Sequence, residues 1–117
     1  VTGQTQDAGW QLGVRRTVSA PLDAVWNHLV DGDGLRDVLA AGGVVEEIRS
    51  RTEQRRIRVR WREDGADHVT TLQLTVLPAA RGTTIAVHQE HLSGPDERAR
   101  LLAVWTGRLE SLVSDFD

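Results

Sequence analysis

Residues 10–18, WQLGVRRTV, alternate between apolar and polar positions. Trp10, Leu12, Val14 and Val18 fall on one face, with Arg16 interrupting it, and Gln11, Gly13, Arg15 and Thr17 fall on the other. A period of two predicts a half-buried strand. The period then changes. After Ser19, the residues Leu22, Val25, Trp26 and Leu29 follow at steps of three and four, which predicts a short helix with one apolar face. Pro21 suits its first turn, where a missing N–H costs nothing. Ser19 or Ala20 is the expected cap, and Asp23 meets the positive end of the helix dipole. DGDG at 31–34 ends this helix. A second short helix over 34–40 carries Leu35, Val38 and Leu39, and AAGG at 40–43 stops it.

Strand patterns then resume. Residues 44–49 form one, and residues 55–62 alternate cleanly, with Ile57, Val59 and Trp61 on one face and Arg56, Arg58, Arg60 and Arg62 on the other. EDGAD turns the chain into a strand over 68–77, whose Leu72, Leu74 and Val76 share a face. PAARG leads into the last strand, 83–92, where Ile85, Val87, Gln89 and His91 are expected on one face. The closing segment from Ser93 is a long amphipathic helix. Ser93 or Gly94 caps it, Pro95 opens it, and Asp96 and Glu97 complement its dipole. Leu102, Trp105, Leu109, Leu112 and Phe116 form its apolar stripe, widened by Leu101 and Val113.

A chain of 117 residues fits one domain, placed at residues 10–117 behind a flexible lead-in of residues 1–9. That length can bury a core without disulfides or metals. The net charge of −3 argues against nucleic acid as a partner. The absence of cysteine removes disulfides, thiol nucleophiles and thiolate metal sites. No run of about 18 apolar residues is long enough to span a membrane. With no signal-peptide pattern at the start, the expected location is the cytoplasm. Every basic residue is arginine, which fits a GC-rich coding bias, and there is no methionine, so Val1 is read as the product of processing, trimming or excision.

The element order predicts an α+β fold: a curved antiparallel sheet wrapped around a long C-terminal helix, with two short helices after the first strand closing one end. Such a cup can hold a small apolar molecule. The residues also carry a resemblance. VRRTVSAPLDAVWNHLVDGDGL resembles the opening of the START-like (SRPBCC) superfamily, in particular the bacterial branch of homologues of the heat-shock chaperone ATPase activator. The strand ending in Trp61, the Gly82–Thr83 pair and a last helix with Trp105 and Leu109 resemble the same family, so the likeness runs from about residue 10 to residue 115. The resemblance implies the helix-grip fold. Two departures stand out. Asp37–Val38–Leu39 occupy the place of a usual tryptophan, and AAGG replaces an extra hairpin, so the sheet is expected to be shortened by one hairpin, with one wall of the cup missing. Gln89 aligns with a frequent histidine of the family.

The resemblance implies a non-catalytic domain that binds a small hydrophobic or amphipathic molecule. Its expected wall is Trp26, Val59, Trp61, Leu72, Leu74, Ile85, Val87, Trp105 and Leu109, with Gln89 as the polar anchor. The alternative for the tryptophans is plain core, since aromatic residues dominate cores in any case. Gln89 and Arg16 lie on mostly apolar faces and need partners if buried: a ligand head group, a backbone group or a nearby carboxylate. In HQEH, residues 88–91, His88 and Glu90 share one strand face and Gln89 and His91 the other, too few ligands per face for a zinc site, so neither metal nor cofactor is expected. The stripe of Arg56, Arg58, Arg60 and Arg62 reads as a solvated outer face or, alternatively, a protein-interaction face. That leaves a protein partner, a co-chaperone-like regulatory role or a homodimer open. Serines 19, 50, 93, 111 and 114 have no nucleophile-elbow context, and no carboxylate pair points to a catalytic site. A cyclase- or hydrolase-type enzyme is the remaining reading.

Overall fold

The computed structural model describes Gln4–Thr5 and residues 9–117. A two-residue strand β1 (Gln4–Thr5) is followed by β2 (Gly9–Val18), helices α1 (Leu22–Val30) and α2 (Gly34–Val38), strands β3 (Gly43–Thr52), β4 (Arg56–Glu63), β5 (Thr70–Ala79) and β6 (Gly82–Leu92), and helix α3 (Pro95–Phe116). The strands form one antiparallel sheet in the order β1-β2-β6-β5-β4-β3. The first long strand therefore pairs with the last, and the meander from β3 to β6 builds the rest. This is the helix-grip architecture that the resemblance implies. Within the expected lead-in, Gln4 and Thr5 pair with Trp10 and Gly9; residues 1–3 and 6–8 lie outside the described residues.

The inner face follows the predicted alternation. Ile57, Val59 and Trp61 of β4, Leu72, Leu74 and Val76 of β5, and Ile85 and Val87 of β6 are buried. Helix α3 covers them with Leu101, Trp105, Leu109 and Leu112. The centre of its stripe is thus Leu101, while Leu102 and Phe116 pack at its margin. Side chains tie α3 down along its length. Arg98 Nε donates to the Gln11 carbonyl at 2.7 Å, Arg108 Nε donates to the Val38 carbonyl at 3.0 Å, and Arg16 Nε meets Glu110 at 2.8 Å. Arg16 reaches past the apolar face to a carboxylate, one of the outcomes open to it.

Three local expectations are corrected. Ser19 does not cap α1; Pro21 holds that position, and the Ser19 hydroxyl donates instead to Asp117 at 2.9 Å, joining β2 to the end of α3. The second helix ends at Val38, two residues earlier than the pattern predicts. His91 does not share a face with Gln89. Its φ of 66° lies in the left-handed region, and beyond it Leu92 is the buried residue. The cause is a bulge on β6: three steps from Gln89 to Leu92 face two steps from Leu12 to Trp10 on β2, which moves the alternation by one residue.

The Gly82–Thr83 pair has a clear physical basis. A Cβ on Gly82 would sit 1.9 Å from the Val18 carbonyl oxygen, so only glycine lets β6 start against the end of β2. The buried Thr83 hydroxyl then donates to the Ala20 carbonyl at 2.9 Å. At the other end of the sheet, β3 carries two bulges, near Val45–Glu47 and Ile48–Ser50, and its outer edge has no strand partner among the described residues. Ile48 pairs with the fully buried Val59 yet is 43% exposed. This is the open side that a sheet short of one hairpin implies.

Candidate functional site

Of the nine expected wall residues and the anchor Gln89, none is more than 3% exposed. Their side chains fill the space between the sheet and α3 themselves. At its centre, Trp61 and Trp105 meet edge to face, with ring centroids 5.4 Å apart and planes at 61°. Both indole N–H groups are buried, and each finds an acceptor. Trp61 Nε1 donates to the Leu39 carbonyl at 2.8 Å, and Trp105 Nε1 donates to Gln89 Oε1 at 2.8 Å. Gln89 Nε2 donates in turn to Thr70 Oγ1 at 2.8 Å, and Thr70 Oγ1 to the Trp61 carbonyl at 3.0 Å. One continuous chain of hydrogen bonds thus runs from the end of α2 through β4, β5 and β6 to α3. Sequence reading found Gln89, Trp61 and Trp105. It missed Thr70, although Thr70 shares the parity of Leu72 and Leu74.

Trp26 belongs to a second group. Its Nε1 donates to Glu53 Oε2 at 3.3 Å, and the Arg51 guanidinium lies 5.7 Å from its ring centroid. Arg51 also pairs with Glu53. Hydrogen bonding from Arg51, and then from Trp26, holds the Glu53 carboxyl below the usual carboxylate range. The β3–β4 loop therefore clasps α1 at the open side of the sheet. Neither Arg51 nor Glu53 was legible as a site residue, because the contact joins positions far apart in the chain.

Among the described residues the buried polar side chains are Thr70, Thr83, Gln89 and Glu97, of which Glu97 alone is ionisable. Glu97 lies at the first turn of α3, where it accepts from the Ser93 N–H at 3.1 Å and meets His68 Nε2 at 2.9 Å. Beside it, Arg100 grips Glu63 with hydrogen bonds of 2.6 and 3.0 Å, which hold the Glu63 carboxyl below its ordinary range. In the HQEH segment, His88 Nε2 lies 2.9 Å from Gln11 Oε1. Among the described residues no group of three metal-ligating side chains converges.

The His68–Glu97 pair makes stability depend on pH. The Glu97 carboxylate holds the His68 imidazole above its ordinary value of 6.5. The folded state therefore binds this proton more tightly than the unfolded chain. That stabilisation is full below 6.5 and is lost as pH rises through the raised folded value. The Glu63–Arg100 pair works in a separate, acidic window, where its contribution is lost as pH falls through the lowered value. Thermal melts across pH are expected to place His68→Gln below the wild type at acidic pH, with the gap closing as pH rises past the His68 transition. A gap independent of pH would show that the pair does not act through its proton.

No family model matches this chain, and no curated protein matches it. The fold is a small antiparallel sheet gripping a C-terminal helix, as in the similar solved structures. The similar solved structures include DynU16, a protein in the dynemicin biosynthetic locus, with a TM-score of 0.76 and 21% identity. That match covers 89% of this chain and 46% of DynU16, so the chain spans under half of that protein's length. CalU16 from Micromonospora echinospora matches with a TM-score of 0.70 and 18% identity over 93% of this chain and 78% of its own. The Aha1 dimer from Colwellia psychrerythraea matches with a TM-score of 0.70 and 12% identity over 91% of this chain and 95% of its own. At such identities the likeness establishes the fold. Among the described residues, no helix is long and apolar enough to cross a membrane.

Proposed function

We propose that this chain is a START-like domain of the activator-homologue branch and a non-catalytic binding module. Its ligand is a small hydrophobic or amphipathic molecule held between the sheet and α3. The observation that supports this reading is the polar chain buried in an otherwise apolar interior. A core needed only for cohesion can replace Gln89 and Thr70 by aliphatic side chains of similar size with little or no loss. The Gln89 amide makes one bond at each end, leaving one N–H and one oxygen lone pair with which to hold a ligand's polar group. Trp61, Trp105, Val59, Leu72, Leu74, Ile85, Val87 and Leu109 form the apolar wall, and Trp26 of α1 completes it. Because the wall fills its own interior, entry requires the Trp26–Glu53–Arg51 clasp to open and α1 and α2 to move away from the sheet.

The test is a fluorescence titration with N-phenyl-1-naphthylamine, a neutral apolar probe. Saturable binding is expected. Trp105→Phe, which removes the indole N–H and changes the wall, is expected to weaken it several-fold, and Arg58→Ala on the outer face to leave it unchanged. Absence of saturable binding, or equal effects of the two changes, would rule the site out. A second reading, a protein-interaction or regulatory module, is favoured by one observation: the interior is filled, while Arg56 and Arg60 stand exposed with no ion-pair partner among the described residues. Charge reversal at both positions would then abolish partner capture without disturbing the fold. A homodimer, like the Aha1 dimer from Colwellia psychrerythraea, is the third form such a module can take.

A further inference from the structure

The outer face of the sheet, opposite α3, carries a cavity of about 370 Å³ lined by Arg49, Arg58, Arg60, Thr71 and His91, with Val69 at its side. Three features of the chain bring these groups together. The alternation of β4 turns Arg58 and Arg60 outward. The bulge between Ile48 and Ser50 on the neighbouring strand adds Arg49. On the far side, the left-handed backbone of His91 breaks the strand alternation and brings its Nδ1 to 3.2 Å from Thr71 Oγ1. Thr71 in turn pairs with Arg60 across the sheet. A non-glycine residue in that backbone region is uncommon, and such residues gather at sites of function.

The charges in this cavity are unbalanced. Arg58 lies 3.7 Å from Glu90 and Arg49 lies 3.5 Å from Glu47, so both pairs are loose. Arg60 has no carboxylate within ion-pair distance among the described residues. The chain as a whole is acidic, with a net charge of −3, yet three guanidinium groups share this one concavity. Guanidinium groups present planar pairs of N–H donors that match phosphate oxygens, and a hydroxyl and an imidazole can each donate a further hydrogen bond.

We propose that this cavity binds the phosphate or diphosphate group of a small phosphorylated molecule. Arg60 is its principal anchor, Arg49 and Arg58 flank it, and Thr71 and His91 supply the rest of the polar wall. The site lies on the opposite side of the sheet from the interior ligand space and does not depend on it.

Pyrophosphate is the probe. Isothermal titration calorimetry is expected to show one binding site on the wild type. Arg60→Gln is expected to weaken binding at least about tenfold, and Arg56→Gln, an exposed arginine of the same strand outside the cavity, to leave it intact. In amide-resolved NMR, the shifts that move on titration are expected to cluster at Arg60, Thr71 and His91. No binding by the wild type, or equal weakening by Arg56→Gln, would overturn the site and leave only diffuse attraction to a basic strand. Sedimentation with vesicles of phosphatidylcholine and phosphatidic acid, without any response to free pyrophosphate, would also overturn it, since a lipid surface would then be the source of the phosphate.

Discussion

Trp105→Ala is expected to cost the domain about 3–5 kcal/mol, the range for removing a large aromatic side chain from a packed core. Small domains have only about 5–15 kcal/mol in total, so this change takes most of the stability or all of it. Two physical losses add. The indole is fully buried and meets Trp61 edge to face at 5.4 Å, so its removal leaves a void beneath the middle of α3. Its N–H is also the donor to Gln89 Oε1 at 2.8 Å, which would be left without that partner. Trp105→Phe separates the two: it keeps most of the volume and loses the donor, for an expected cost of about 1–3 kcal/mol. Urea unfolding of both variants measures the split. If Trp105→Phe matched the wild type, the buried hydrogen-bond chain would carry no stability.

Gly43→Ala is expected to be the most disruptive single-methyl change at the open side of the sheet. A Cβ there would stand 2.3 Å from Trp61 Cζ2 and 2.6 Å from the Arg62 carbonyl oxygen. Neither neighbour can give way cheaply. The carbonyl is backbone of β4. The Trp61 ring is pinned by its bond to the Leu39 carbonyl at 2.8 Å and by Trp105 behind it. Overpacking usually costs about 1–3 kcal/mol, and this site is expected at or above the top of that range. Gly107→Ala is the control. Gly107 lies in α3 with open space around the added methyl, so the substitution should stabilise by roughly 0.5–1 kcal/mol through helix propensity. Melting curves of the two variants should move in opposite directions; a shared direction would show that the Trp61 side of the core has slack.

The sheet and its grip on α3 were legible because period-two and helical spacings report directly on which face is buried. Ile57, Val59 and Trp61 stand where alternation placed them, as do Leu72, Leu74 and Val76. What was not legible depends on partners far away in the chain. Ser19 has the chemistry of a helix cap, but Asp117 competes for its hydroxyl. His91 has the parity of a buried residue, but the bulge in β6 against β2 shifts the alternation before it. Gln89 was legible as a polar group on an apolar face, whereas its two partners come from β5 and α3. The outer arginine stripe was visible on β4, but the cavity was not, because Arg49 joins it through a bulge and His91 through a left-handed backbone.

The most direct test of the proposed function is native mass spectrometry of the protein purified without detergent, set beside its denatured mass. The expected result is a defined small mass increment that disappears on denaturation and is reduced in Trp105→Phe. That increment would also give the mass of the molecule held between the sheet and α3. Identical native and denatured masses, with a clean dimer in place of an adduct, would contradict interior ligand binding and leave the outer face as the working surface of the domain.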